Sequence, residues 1–182
     1  MPPSLTFVTG GARSGKSRYA LDLALRSDRP AFLATAEPFD DGMRDRIRRH
    51  REERGERCLT VEEPVDLAGA LRGLPPETGA AVVDCLTVWL GNLLYRREGR
   101  PGPPSADLGD YEEIRAFLDL LAAPPCPLIV VSNEVGMGII ADNALARLFT
   151  DLTGRLNQEV AARAGRVVFL VSGIPLVVKE AV

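Results

Sequence analysis

Histidine is almost absent from this chain: among 182 residues there is one, His50. Cysteine is scarce as well. Cys58, Cys85 and Cys126 are an odd number without metal-ligand spacing, which argues against a disulfide framework or a zinc site and for ordinary thiols in a reducing compartment. There is no excess of positive charge; a formal net charge of -3 speaks against nucleic acid as a partner, because nucleic-acid-binding domains are usually basic. No apolar run reaches the ~18 residues that a membrane span needs. The N-terminal "MPPSLTFVTGG" lacks the charged opening of a signal peptide. With 46% hydrophobic and 26% charged residues, the composition is that of a soluble, cytoplasmic, globular protein. A length of 182 residues suits a single domain over 1–182 with a substantial core.

What the chain does have is alternation. Short apolar runs at 4–9, 31–35, 80–84, 128–132 and 166–172 read as strands, the last of these being the last clear one, with a further short strand near 58–64. Between them, helical periodicity is expected over 17–26, 39–54, 65–71, 86–98, 111–122 and 143–164, the last with Asp142 as a candidate N-cap. The proline- and glycine-rich segment 99–109 reads as a flexible loop. Strands alternating with helices imply right-handed crossovers and a parallel sheet covered on both faces. Ligands of such sheets bind beyond the carboxyl ends of the strands.

The first strand runs into "GGARSGKS", which matches G-x-x-x-x-G-K-[ST] from Gly10 to Ser17. In that pattern the backbone N–H groups of Gly10, Gly11, Ala12, Arg13, Ser14 and Gly15 converge on phosphate, and the positive end of the following helix adds to their field. Lys16 reaches the β- and γ-phosphates, and the Ser17 hydroxyl takes a place on Mg²⁺. The expected fold is therefore α/β, a P-loop NTPase-like (RecA-like) three-layer domain with a mostly parallel central sheet. Asp84 closes the apolar run "AAVVD", where a second metal-binding acid is expected. A helix N-cap is a chemically reasonable alternative, but the uniformly apolar strand before Asp84 favours the metal role. A chain of this length has no room for the accessory elements of most motor ATPases, and the guanine-reading "NKxD" of switch GTPases is missing.

The lone histidine lies in "RDRIRRHREERGER", with seven arginines against four acids between Arg44 and Arg57. Read from the residues alone, His50 is either a bystander on a solvated helix or the centre of a phosphate-handling site. The motifs "TGGARSGKSRYA", "RIRRH", "NLL", "SNEVGMGI" and "GRLNQ" occur in this order across nearly the whole chain. Together they resemble the bifunctional adenosylcobinamide kinase / adenosylcobinamide-phosphate guanylyltransferase family of cobalamin biosynthesis.

The resemblance implies two reactions. Adenosylcobinamide is phosphorylated on its aminopropanol hydroxyl with ATP or GTP; GMP then passes from GTP to that phosphate, giving adenosylcobinamide-GDP and pyrophosphate. The second reaction is implied to run through a histidine–GMP intermediate, which falls on His50. A neutral imidazole is a competent nucleophile, and neighbouring arginines both favour its neutral form and offset charge on the leaving pyrophosphate. The resemblance also implies GTP contacts at Ala34, Thr35 and Ala36, at Arg51, Glu52, Glu53 and Arg54, and at Glu62, with Glu63 leaving that register open by one. It implies a homo-oligomer, a trimer. Arg49 stands where many members carry a second histidine, and Cys58 where an aromatic is common. Asn133 and Glu134 either orient substrate or metal, or merely shape a turn. The alternatives are a plain P-loop kinase of a small metabolite with His50 idle, and a GTP-sensing interaction protein without turnover.

Overall fold

The structure, a computed structural model, describes residues 4–38, 41–97 and 105–180, with the backbone alone at Met43, Arg46, Ile47, Arg49, His50, Glu53, Arg54 and Glu56. The elements alternate as the sequence predicts: β1 (Leu5–Gly10), α1 (Lys16–Ala24), β2 (Ala31–Ala34), α2 (Asp41–Arg54), β3 (Leu59–Glu62), α3 (Leu67–Arg72), β4 (Ala81–Asp84), α4 (Leu86–Arg97), α5 (Glu112–Leu120), β5 (Leu128–Val131), α6 (Ala144–Arg163) and β6 (Arg166–Val171). A final strand, β7 (Ile174–Glu180), was not expected. The expected Pro/Gly-rich loop lies partly outside the described residues, as does Phe39 at the start of the helix expected over 39–54.

The seven strands form one sheet in the order β3-β2-β4-β5-β1-β6-β7. Every pairing among β1 to β6 is parallel and only β6–β7 is antiparallel. Alternation along the strands divides the core into two layers. Leu5 and Phe7 of β1, Leu33 of β2, Val83 of β4 and Val130 of β5 face a large cluster built with Leu71, Trp89, Leu90, Ile114, Phe117, Leu152 and Leu156, from α3 to α6. Val8, Phe32, Val82, Ile129 and Val168 face the opposite way, onto Ala20, Leu21 and Ala24 of α1. Strands buried on both faces are the physical reason these runs are apolar throughout rather than alternating.

Two details depart from expectation. The N-cap of α6 is Asn143, not Asp142: the Asn143 side chain accepts the N–H of Ala146 at 2.7 Å, the Ncap-to-N3 spacing that satisfies an orphan donor. The extra strand β7 is the return arm of a hairpin. Its turn is Ser172–Gly173, both with positive φ (51° and 84°), which matches the twist of an antiparallel pair. β7 holds Pro175, which an edge strand tolerates because the N–H it lacks can face away from the ladder.

Candidate functional site

Because β1 to β6 run parallel, their carboxyl ends share one edge, and the residues singled out from the sequence fall along it: Gly10–Ser17 after β1, Ala34–Ala36 after β2, Glu62 ending β3, Asp84 ending β4, and Asn133–Glu134 after β5. The edge is extended. From β1 to β3 there are four inter-strand steps, about 19 Å at the usual spacing of ~4.8 Å.

At the β1 end the phosphate loop has the shape its glycines predict. Gly10 has φ 145°, and a β-carbon on it would lie 2.4 Å from the Leu170 carbonyl oxygen of β6, so only glycine fits. Gly15, φ 95°, caps the amino end of α1. Lys16 is 6% exposed and its Nζ donates to the Gly11 carbonyl at 2.6 Å, so the ammonium lies within the cradle of its own loop. A buried ammonium bound to loop oxygens suits a loop that closes on an anion. Two outer segments brace the loop: Gly173 N–H of the hairpin turn donates to the Ser14 carbonyl at 2.9 Å, and Glu134 N–H donates to the Gly10 carbonyl at 3.0 Å. The exposed Ala12 and Arg13 complete the rim.

Asp84 is half-buried at the end of β4, two strands from β1 with β5 between them. Among the described residues no group of three or more His, Cys, Asp or Glu side chains is placed to hold a metal. The Ser17 hydroxyl and the Asp84 carboxylate are hard oxygen donors and few in number. That donor set fits Mg²⁺, which is typically held by one or two protein oxygens together with substrate phosphates and water.

After β2, Thr35 ties the chain to the end of β4. It is fully buried; its hydroxyl accepts from Cys85 N–H at 2.9 Å and donates to the Cys85 carbonyl at 3.0 Å. Its own N–H donates to the Asp84 carbonyl, and its carbonyl accepts from Asn92 Nδ2 at 2.7 Å. All of its polar groups thus engage protein partners, and Ala34 and Ala36, both half-buried, flank it. Asn92 Nδ2 also donates to the Pro64 carbonyl at 3.1 Å, and Trp89 Nε1 to the Val65 carbonyl at 2.7 Å. Helix α4 therefore holds the segments after β2 and β3 together.

At the β3 end Glu62 and Glu63 separate cleanly. Glu63 Oε1 accepts from the N–H groups of Val65 and Asp66, both at 2.8 Å, and so shapes the entry to α3. Glu62 instead pairs with Arg51 of α2, whose Nε and Nη2 both reach Oε1, the former at 2.9 Å. Helix α2 contributes nothing to either core cluster among the described residues. Arg44 pairs with Asp41, and Arg48 with Asp45 and Glu52, along its exposed surface. His50 lies on this helix immediately before Arg51; the side chains of His50, Glu53 and Arg54 lie outside the described residues.

Sequence reasoning assigned no role to Thr87, Asn92 or Asn157, although all three are buried polar residues that position the edge. Thr87 Oγ1 accepts from Asn133 N–H at 2.8 Å, and Asn157 Nδ2 donates to the Asn133 carbonyl at 3.1 Å. The available signal was an asparagine within the apolar run "LTVWLGNLL": a buried amide implies specific partners.

Comparison with known proteins agrees with this geometry. A family model described as cobinamide kinase / cobinamide phosphate guanyltransferase matches residues 6–178. The bifunctional adenosylcobalamin biosynthesis protein CobP of Pseudomonas aeruginosa is 41% identical over 173 residues, covering 94% of this chain and 95% of the relative. The bifunctional adenosylcobalamin biosynthesis protein CobU of Escherichia coli is 37% identical over 180 residues, covering 96% and 99%. Among solved structures, a prototypical ATPase from the type III secretion system of pathogenic bacteria superposes with a TM-score of 0.59 at 10% identity, covering 93% of this chain and 51% of that one, a likeness of fold. The chain belongs to the cobinamide kinase / cobinamide phosphate guanyltransferase family.

Proposed function

We propose that this protein phosphorylates adenosylcobinamide with ATP or GTP and then transfers GMP from GTP onto the new phosphate, releasing adenosylcobinamide-GDP and pyrophosphate. The observation that carries the reading is the shared edge: a phosphate loop with a buried Lys16 at one end, and at the other a helix bearing His50 tied to Glu62 through Arg51. Both relatives are named as bifunctional enzymes of adenosylcobalamin biosynthesis, and each matches nearly the whole chain.

In the kinase half, Gly10–Ser17 wraps the nucleotide phosphates and Lys16 exchanges the Gly11 carbonyl for β- and γ-phosphate oxygens. Ser17 and Asp84 would hold Mg²⁺, which neutralises charge on those oxygens. In the guanylyltransferase half, an imidazole nitrogen of His50 bonds to the α-phosphorus of GTP as the bond to pyrophosphate breaks. A phosphate oxygen of adenosylcobinamide phosphate then displaces the imidazole, so the phosphorus–nitrogen bond breaks and His50 is restored. Arg51, Glu52, Glu53, Arg54 and Glu62 surround this GTP from α2 and β3, and Ala34–Ala36 from β2, with Thr35 acting by fixing the segment through its bonds to Cys85 and Asn92.

The reading sets the enzyme in the cytoplasm and makes it a homo-oligomer, with three copies as the resemblance implies. No helix among the described residues is long and apolar enough to cross a membrane. Support for association comes from β7, an edge strand with Ile174, Leu176 and Val178 exposed, an apolar edge of the kind proteins cover.

The test is incubation of wild type and His50→Ala with Mg²⁺ and GTP labelled at the α-phosphorus. Label held on the wild type, lost in acid, stable in alkali and absent from the variant is the expected result. GTP binding without protein labelling would refute the guanylyltransferase half and leave a plain kinase.

A further inference from the structure

The segment "SNEVGMGI" leaves β5, the strand hydrogen-bonded directly to β1. Its first residues are fixed at three backbone points. Asn133 N–H is held by Thr87 Oγ1, the Asn133 carbonyl by Asn157 Nδ2, and Glu134 N–H by the Gly10 carbonyl at 3.0 Å. Thr87 and Asn157 are 8% and 6% exposed, so this clamp is built from the core outward. It fixes the backbone of Glu134 against the first glycine of the phosphate loop. The Glu134 carboxylate is not clamped in the same way. It is half-buried, accepts a long contact from Gly136 N–H at 3.3 Å within its own loop, and forms no ion pair among the described residues.

Phosphoryl transfer to an alcohol needs positioning, positive charge and a group to receive the hydroxyl proton. Lys16 and the backbone N–H groups of the loop are donors and cannot accept it. Asp84 is one strand further away, beyond β5, and has been assigned to the metal. Glu134 is an acidic residue whose backbone the fold bonds directly to the loop, at the Gly10 carbonyl.

We propose that Glu134 is the general base of the kinase step. Its carboxylate accepts the proton of the substrate hydroxyl as that oxygen bonds to the γ-phosphorus. The bond from the γ-phosphorus to the β,γ-bridging oxygen breaks, and its electron pair leaves with the nucleoside diphosphate. The inference rests on the kinase reading above and names a catalytic residue for it. It assigns Glu134 no part in guanylyl transfer, where the nucleophile is a neutral imidazole or a phosphate oxygen and carries no proton that must be removed.

The experiment compares wild type, Glu134→Gln and Glu134→Asp in two assays. One follows γ-phosphoryl transfer from ATP to adenosylcobinamide; the other follows protein labelling by α-labelled GTP and its transfer to supplied adenosylcobinamide phosphate. For Glu134→Gln the kinase kcat is expected to fall by about 10²- to 10⁴-fold, the usual worth of a positioned base. Its KM values and its guanylylation stay within about threefold of wild type, because a group acting only in the transition state changes kcat. Glu134→Asp recovers part of the lost rate. A Glu134→Gln kinase kcat close to wild type would overturn the proposal. So would a raised KM at unchanged kcat, or equal loss of both activities together with nucleotide binding, since these mark a binding or scaffolding role. A wild type that labels with GTP yet phosphorylates no adenosylcobinamide would instead sink the kinase reading itself.

Discussion

Asn92 offers a direct test of how the candidate site is held. It is 2% exposed, and its amide nitrogen donates to two carbonyls on different segments, Thr35 at 2.7 Å and Pro64 at 3.1 Å. Asn92→Leu keeps the branched shape and the number of side-chain heavy atoms and removes both donors. The Thr35 carbonyl is fully buried, so leaving it unpaired costs about 1–3 kcal/mol; the half-buried Pro64 carbonyl regains water and costs about 0.5–1.5 kcal/mol. The extra apolar burial of leucine offsets part of this, for a net loss of about 1–3 kcal/mol. With a urea m-value of ~2 kcal/mol/M, the denaturation midpoint drops by about 0.5–1.5 M at unchanged slope. The damage is directional as well: the segment carrying Ala34–Ala36 loosens, while the phosphate loop, braced from β5 and from the Ser172–Gly173 turn, does not. GTP-dependent protein labelling therefore falls more than the affinity of the phosphate loop for ATP. A midpoint shift below ~0.2 M would refute the reasoning, because the two carbonyls would then have found other partners.

Gly10→Ala places a methyl group 2.4 Å from the Leu170 carbonyl at a φ of 145°, so the loop must shift. Nucleotide affinity measured by calorimetry should fall by about 100-fold or more, in keeping with the several kcal/mol that such strain stores. The thiols should react in order of burial. Burial pushes the Cys126 thiol up from its ordinary value, so its thiolate, the reactive form, becomes scarcer at any given pH. Cys58 is half-buried whereas Cys85 and Cys126 are buried. A thiol titration at pH 8 is expected to find one fast group, lost in Cys58→Ser, and two that react only on unfolding; fast modification of Cys126 in the folded protein would contradict it.

The parts of the fold legible in the sequence are those where one physical rule dominates. Apolar strands such as Ala81–Asp84 and Leu128–Val131 could only be buried on both faces, and the glycine spacing of the phosphate loop is demanded by its φ angles. β7 was missed because both of its faces are exposed, so no core pattern marks it, and because Pro175 reads as a breaker. The N-cap of α6 slipped by one because Asp142 and Asn143 are both good caps, and only the position of Ala146 N–H decides between them. Of the candidate site, the row of residues after each strand was legible from topology. The clamps at Thr87, Asn92 and Asn157 were not, because a side-chain hydrogen bond across 24 to 57 residues leaves no local periodicity.

The two ends of the edge are anchored very differently, and the Arg51–Glu62 pair tests what that means. The phosphate loop is tied by backbone bonds to a β5 loop and a hairpin, whereas the described anchor of α2 is an ion pair whose side chains are 55% and 49% exposed. A pair so exposed contributes only about 0–1 kcal/mol to stability, so Arg51→Ala should leave the urea midpoint nearly unchanged. Its effect on guanylylation separates two arrangements. Three strands lie between β1 and β3, which are four inter-strand steps, about 19 Å, apart. If GTP for guanylyl transfer binds at the β3 end, with Arg51 and Glu62 on its phosphates and base or ribose, removing Arg51 slows protein labelling and leaves the kinase rate unchanged. That is the expected result, with a loss of about 10-fold or more for one charge-assisted phosphate contact. Faster labelling in Arg51→Ala would refute it, since the pair would then be a restraint that α2 must break before His50 meets a nucleotide held at Lys16.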